Sequence, residues 1–120
     1  MDNLAPTIFA VSDAIRYVAV YENGELSLNQ KEGIADSSSG ESDKYEELIV
    51  NPTILKIATQ RGNIDCGGLD YYIIKYGSFF LLAIPTTTGH VSVGIENDGD
   101  PIAIESKVRS VLSEAGNNRS

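Results

Sequence analysis

The pattern of hydrophobic positions changes its period within the first thirty residues. Apolar residues at roughly helical spacing predict a short helix over residues 4–13. Residues 16–21 are mostly β-branched or aromatic and therefore predict a strand. The dipeptide Asn23-Gly24 predicts a two-residue hairpin turn, because both of its positions tolerate positive φ, and residues 25–28 alternate between polar and apolar. The chain is thus expected to begin with a helix and a β-hairpin.

A polar tract over residues 29–42 separates this hairpin from the next helix. It contains Ser37-Ser38-Ser39-Gly40, which favours a flexible connection over a phosphorylation site. Asp43 followed three residues later by Glu46 matches a capping box and predicts the start of a helix. Glu46 and Glu47 are then expected on a solvated first turn, where the helix dipole favours negative charge.

The dipeptide Asn51-Pro52 interrupts this second helix. We interpret Asn51 as a second N-cap and Pro52 as the first residue after it, so that the helix kinks or restarts there. Gly62 is expected in the left-handed position after the last turn. The apolar stripe of this helix is wide enough to cover more than one neighbour. It consists of Leu48, Ile54, Leu55, Ile57 and Ala58.

The second half of the chain is rich in strands. Residues 69–76 predict a long strand and Gly77-Ser78 a tight turn. Residues 79–84 are continuously apolar, which is typical of a central strand covered on both faces. Residues 90–95 alternate as a further strand, and residues 101–114 predict a final amphipathic helix with the preceding aspartate as its N-cap.

This order of elements predicts the fold class. Helix, two strands, helix, three strands and helix form an α+β protein, a three-layer α-β-α sandwich around a five-stranded, mostly antiparallel sheet. We expect one domain over residues 1–116 and a frayed tail over residues 117–120.

Composition excludes several classes of function. The 120 residues carry 9 Lys and Arg against 17 Asp and Glu, a net charge of −8 that disfavours nucleic acid and anionic membranes as partners. A single cysteine and a single histidine exclude a disulfide framework and a multi-His metal site within one chain. Neither a signal peptide nor an apolar run long enough for membrane insertion is visible, so a cytoplasmic location is expected.

The candidate catalytic or metal-binding groups are Cys66, His90 and residues 96–100. Cys66 follows Asp65, and a neighbouring carboxylate disfavours the reactive thiolate, so a structural cysteine is expected. His90 follows a Thr-rich turn and is expected to be exposed there, with an anion-binding or pH-sensitive role as the alternative. Residues 96–100 lack the length of a calcium loop. No catalytic, cofactor-binding or metal-binding residue is predicted, and an enzyme that uses Cys66 or His90 is the disfavoured hypothesis.

The element order and two segments resemble the roadblock/dynein light chain family, which has a profilin-like or longin-like fold. The segments are residues 15–25 (IRYVAVYENGE) and residues 67–74 (GGLDYYII), the latter leading into 79–85, and they look closest to an archaeal branch of roadblock-like proteins. The resemblance implies a non-enzymatic scaffold that forms homodimers or heterodimers through its middle helix and third strand. It also implies docking onto Ras-like GTPases, motor intermediate chains or membrane scaffolds.

The residues of the third strand agree with a dimer interface. Its predicted span of residues 69–76 is rich in tyrosine and carries only Asp70 and Lys75 as charges, so an exposed edge there invites pairing with a second copy. The alternative is that the strand is covered within the monomer. The predicted homodimer interface consists of Leu48, Leu55, Ala58, Leu69, Tyr71, Tyr72, Ile73, Ile74 and Tyr76.

A second hypothesis is a small-molecule sensor of the PAS or profilin-like kind. Such a domain binds its ligand between sheet and helix, where tyrosines supply apolar rings with polar hydroxyls. A large cavity would favour this hypothesis, and a filled sheet–helix core would disfavour it. The tyrosines in question are Tyr17, Tyr21, Tyr71, Tyr72 and Tyr76.

Overall fold

The computed structural model describes residues 4–31 and 40–116. A π-helical turn, Glu46–Val50, joins α2 (Gly40–Tyr45) to α3 (Asn51–Asp65), so that the two form one continuous helical segment. None of the helices in these described ranges is long and apolar enough to cross a membrane. The elements are α1 (Leu4–Phe9), β1 (Ile15–Glu22), β2 (Glu25–Gln30), α2 (Gly40–Tyr45), α3 (Asn51–Asp65), β3 (Tyr72–Lys75), β4 (Phe79–Thr86), β5 (Gly89–Glu96) and α4 (Pro101–Gly116).

The five strands form one sheet in the order β2-β1-β5-β4-β3, and every neighbouring pair is antiparallel. The predicted α+β architecture with a five-stranded antiparallel sheet is therefore confirmed. The prediction that the apolar β4 is a central strand is also confirmed, because β4 lies between β5 and β3. Strands β2 and β3 form the two edges of the sheet.

One face of the sheet packs against α1 and α4 and forms the hydrophobic core. Alternate residues of the central strands point to this face, and three apolar side chains from each helix meet them. Asp100 caps α4 as predicted, because its Oδ1 accepts hydrogen bonds from the backbone N–H groups of Ile102 and Ala103, both at 3.1 Å. The core consists of Leu4, Ala5, Ile8, Ile15, Val18, Leu82, Ile84, Val91, Val93, Ile95, Ile104, Val108 and Leu112.

The opposite face of the sheet is covered by the helical segment Gly40–Asp65, which completes the third layer. This face is far more polar, because Tyr17, His90 and Ser92 point toward the helix from the central strands. The buried aliphatic side chains on that side include Leu55 of this helix and Leu81 and Ala83 of β4.

Two predictions about this helical segment are wrong. The helix begins at Gly40, so Asp43 lies inside it and accepts a hydrogen bond from Gln30 instead of capping. Asn51 is not an N-cap and the helix does not restart there, because the backbone stays helical through the π-helical turn: the N–H of Asn51 bonds to the carbonyl of Glu46, five residues back. The Ser-rich tract over residues 37–39 lies outside the described residues.

Gly62 was expected after the end of the helix, but α3 continues to Asp65. Gly62 is instead a packing residue, since a Cβ there would lie 2.8 Å from the backbone carbonyl carbon of Gly68. The chain reverses after the helix at Gly67 and Gly68, which have φ values of 81° and 91°. The backbone of these two glycines folds back over α3, and the N–H of Gly68 donates to the carbonyl of Gly62 at 3.0 Å.

Other boundaries differ in detail. The Asn23-Gly24 turn is confirmed, with φ of 54° and 83° at its two positions. The helix predicted over residues 4–13 ends at Phe9, because Ser12 Oγ accepts the N–H of Ala14 and turns the chain into β1. Strand β3 is shorter than the predicted residues 69–76, and β4 continues through Pro85 to Thr86.

Candidate functional site

The π-helical turn aims Glu47 at the middle of the sheet. Its side chain is completely buried, and so is that of Asn51 four residues later. A π-turn shifts the residues after it relative to an α-helix, and such turns are frequent at functional positions. Here the turn allows both polar side chains to face β1 and β5 beneath the helix.

The carboxylate of Glu47 accepts four hydrogen bonds, two on each oxygen. His90 Nε2 donates to Oε1 at 2.8 Å, and Asn51 Nδ2 donates to the same oxygen at 2.9 Å. Tyr17 OH donates to Oε2 at 2.6 Å, and Ser92 Oγ donates to it at 2.5 Å. All the acceptor positions of the buried carboxylate are therefore filled. We call these five residues the Glu47 network.

The electrostatics of the Glu47 network favour an ionised carboxylate. Burial alone raises the pKa of the Glu47 carboxyl, but the four donated hydrogen bonds outweigh burial and hold this pKa below its ordinary value. Burial and the nearby negative charge of Glu47 raise the pKa of Tyr17, which therefore stays a neutral donor. Tyr72 extends the network, because its hydroxyl donates to Oδ1 of Asn51.

The hydroxyl of Ser92 is held inside the Glu47 network. It donates to Glu47 Oε2, which also accepts the hydroxyl of Tyr17. The network is closed off by burial of Glu47, His90 and Ser92. Its chemical role is to fasten the helical segment to β1, β5 and, through Tyr72, β3.

Two predictions are corrected by the Glu47 network. His90 is not exposed in a turn but only 2% exposed, with its ring stacked on Tyr21 at a centroid distance of 5.5 Å. Glu47 is not on a solvated first turn, because the helix begins at Gly40, three residues before the predicted start at Asp43, and turns Glu47 inward. A local sequence signal was present for β5: His90, Ser92 and Gly94 alternate with three buried aliphatic residues on the other face.

A half-enclosed cavity of about 220 Å³ lies beside the Glu47 network, between the helical segment and the sheet. Tyr76 OH donates to Glu46 Oε1 at 2.9 Å, and Gln30 Nε2 donates to Asp43 Oδ2 at 2.9 Å, so two carboxylates are held in its wall. Burial raises the pKa of both Asp43 and Glu46. The cavity is lined by Arg16, Tyr17, Gln30, Ser42, Asp43, Glu46, Tyr76, Phe79 and Leu81.

The tyrosines predicted to line a pocket divide among different sites. Tyr17 and Tyr76 line the cavity. Tyr72 contacts the Glu47 network, and Tyr21 stacks on His90. Tyr71 packs against the hydrophobic core on the other face, where Arg109 lies 5.6 Å above its ring.

The outer surface of the helical segment carries large apolar side chains. Ile49 is 52% exposed, Ile57 63% and Ile64 75%, and Tyr45 is exposed as well. These four residues and Leu48 form what we call the outer helix face. It lies opposite the buried series of Glu47, Asn51, Leu55 and Gly62.

The residues predicted to form a dimer interface differ in exposure. Leu48 is 45% exposed and belongs to the outer helix face, whereas Leu55 is buried against the sheet within the chain. The others are partly exposed: Ala58, Leu69, Tyr71, Tyr72, Ile73, Ile74 and Tyr76. Their role in an interface stays a prediction.

Cys66 is exposed just after α3, and its thiol lies 3.3 Å from Oδ1 of Asp65. Within residues 4–31 and 40–116, no three His, Cys, Asp or Glu side chains are grouped to hold a metal ion. Comparison with protein-family models and with curated proteins finds no match for this sequence.

Proposed function

We propose that the protein is a non-enzymatic interaction scaffold that forms a homodimer of the roadblock type and binds a further protein partner. The observation that carries this proposal is the outer helix face beside the open edge of β3. Both features are exposed surfaces of types that proteins ordinarily cover by association.

The helical segment that carries the outer helix face lies next to β3. Tyr72 and Tyr76, at β3 and just after it, donate hydrogen bonds to Asn51 and Glu46 of the helical segment. The helix therefore lies directly over the β3 side of the sheet. A partner that pairs with β3 also comes into contact with the helix.

The open edge of β3 carries backbone N–H groups that do not bond to β4. Tyr76 N–H bonds to the carbonyl of Phe79, so the alternation of an antiparallel ladder turns Tyr72 and Ile74 toward β4 as well. The N–H groups of Ile73 and Lys75 then point away from the sheet. Within the described part of the chain, no other strand pairs with this edge.

A second copy of the chain suits this surface. A two-fold axis between two β3 strands would join the sheets of both copies in antiparallel fashion and place their helical segments on the same side of the joined sheet. The side chains involved are aromatic or aliphatic, as in the cores of homodimer interfaces. The resemblance to roadblock-like proteins supports the same arrangement, and it suggests a Ras-like GTPase as the class of further partner.

The test compares two lysine substitutions at equally exposed isoleucines. Ile57→Lys places a charge on the outer helix face, whereas Ile102→Lys places the same charge on α4, where Ile102 is 59% exposed. Light scattering coupled to size exclusion should show a dimer for the unmodified chain and for Ile102→Lys, and a monomer for Ile57→Lys. A monomeric unmodified chain at high micromolar concentration would contradict the proposal.

The strand contribution is tested by Lys75→Pro. Proline removes an N–H that points away from β4, so the sheet within one copy is preserved while pairing across the edge is blocked. We expect a monomer with a circular dichroism spectrum like that of the unmodified chain. Lys75→Ala, which keeps the N–H, is the matched control and should remain dimeric.

A further inference from the structure

The cavity beside the Glu47 network has walls of two kinds. One wall is apolar and is made by Phe79, Leu81 and the ring of Tyr76, with the rings of Tyr76 and Phe79 5.4 Å apart. The other wall is acidic and is made by Asp43 and Glu46 of the helical segment. Its volume of about 220 Å³ lies below the ~300–1,000 Å³ of sites for drug-sized ligands, so only a small molecule fits.

The acidic wall contains an unused acceptor. Glu46 Oε1 receives the hydroxyl hydrogen of Tyr76, but Glu46 Oε2 is buried and has no hydrogen-bond partner. A buried carboxylate oxygen without a donor is costly, and a cation bound in the adjoining cavity lowers that cost by stabilising the negative charge of Glu46. Asp43, which is only 8% exposed, adds a second negative group to the same cavity.

The cation in the lining does not fill this role. Arg16 directs its guanidinium to Glu96 at 3.3 Å and over the Phe79 ring, 5.3 Å from its centroid. It closes the Phe79 side of the cavity, while Glu46 Oε2 keeps no partner. Two carboxylates against one already paired guanidinium leave the cavity with an excess of negative charge.

We propose that this cavity binds a small organic ammonium ion, with the ammonium on Glu46 and Asp43 and an aromatic or aliphatic body on Phe79, Tyr76 and Leu81. The carboxylates of Glu46 and Asp43 attract the ammonium by their charge, and the electron-rich ring faces add cation–π attraction. This binding activity is separate from dimer formation, because the cavity lies on the sheet side of the helix and the outer helix face on the other.

Three probes that share one phenyl-ethyl skeleton test the charge requirement. Phenethylamine is cationic, 2-phenylethanol is neutral, and 3-phenylpropionate is anionic. In titrations followed by ¹H-¹⁵N correlation spectra, phenethylamine should shift the amides of Gln30, Glu46 and Tyr76. We expect its affinity to exceed that of either analogue at least tenfold.

Two matched variants locate the binding group. Glu46→Gln keeps an acceptor for Tyr76 but removes the charge, and it should weaken phenethylamine binding at least tenfold. Glu41→Gln removes a charge from an exposed position of α2 outside the cavity and should leave binding unchanged. Thermal unfolding of both variants checks that they are folded.

Three results would overturn the proposal. The first is equal affinity for the cationic and the neutral probe. The second is unchanged phenethylamine binding in a folded Glu46→Gln variant. The third is the absence of shifts at Gln30, Glu46 and Tyr76 up to the solubility limit of phenethylamine.

Discussion

Glu47 is the residue on which the polar half of the protein depends. It is completely buried, and its four donors come from two strands and from its own helix. Removing one member of a buried, charged and hydrogen-bonded group is costly because the remaining members lose their partner and stay dehydrated. Stability at this position therefore depends on the charge as well as on the shape of the side chain.

We expect Glu47→Gln to lower the free energy of unfolding by about 3 kcal/mol. Glutamine has nearly the same shape, but its NH₂ group is a donor. It faces donor groups whose hydrogen bonds the carboxylate oxygen accepted. Urea denaturation at neutral pH measures the change. Glu41→Gln, at an exposed position of the same helix, should change the value by no more than about 0.5 kcal/mol. An equal effect of the two substitutions would show that Glu47 is not the centre of this network.

The stability difference between the unmodified chain and Glu47→Gln depends on pH. The pKa of Glu47 is lowered by folding, so its contribution is complete above the ordinary pKa of a glutamate and is lost as the pH falls through the lowered value. The stability difference between the unmodified chain and Glu47→Gln should therefore shrink in acid. Asp43 and Glu46 act in the opposite direction, because burial raises their pKa and protonation in acid relieves them. Unfolding curves at several pH values below 7 check the sign.

At the scale of single elements, the contact of α3 with the turn that follows it depends on a missing side chain. The backbone of Gly68 lies against Gly62 so closely that a Cβ would come within 2.8 Å of its carbonyl carbon and oxygen. This contact folds the chain back over the helix and directs it toward β3. A methyl group at this point would force two backbone segments apart.

We expect Gly62→Ala to destabilise the protein by about 1–3 kcal/mol, although alanine is the better helix former. Gly77→Ala is the matched control, because a Cβ at that position has nothing within 4 Å. It should change stability by less than about 1 kcal/mol. Thermal or urea unfolding of the two variants separates the contact from the general effect of replacing glycine. A neutral Gly62→Ala would mean that α3 and the turn separate at little cost.

The elements that the sequence predicts well are those with a strong local signal. The Asn23-Gly24 turn, the apolar strand β4 and the capped helix α4 all depend on residues close together in the chain. The π-helical turn was missed because Pro52 is compatible with a restarted helix as well as with a widened one. The widened turn forms because the side chain of Asn51 bonds to Glu47 and Tyr72 and therefore does not cap a new helix.

The Glu47 network could not be predicted from the sequence for a related reason. Tyr17, Glu47 and Ser92 are separated by 30 and 45 residues, and only the pairing of β1 with β5 brings their strands together. Paired glutamates at a helix start are usually solvated, so a buried one violates the local expectation. The one signal for this network in the sequence was the pair of polar residues His90 and Ser92 on one face of β5.

At the scale of the whole molecule, net charge opposes the proposed dimer. Each copy carries a formal charge of −8, so two copies repel each other over distances longer than the contact itself. We expect the dimer to dissociate more readily at low ionic strength and to tighten as salt is added, because screening shortens the repulsion to about 8 Å at physiological salt. Sedimentation at several salt concentrations measures the trend. Weaker association at higher salt would indicate an interface held by ion pairs.

Cys66 gives this molecule a built-in attachment point for a distance probe. It is the single cysteine of the sequence, it is exposed, and it follows directly after α3. One nitroxide attached there yields two identical labels in a symmetric dimer and hence one label-to-label distance. That distance reports how the two α3 helices are arranged, and it is obtained without engineering a cysteine or removing a competing one.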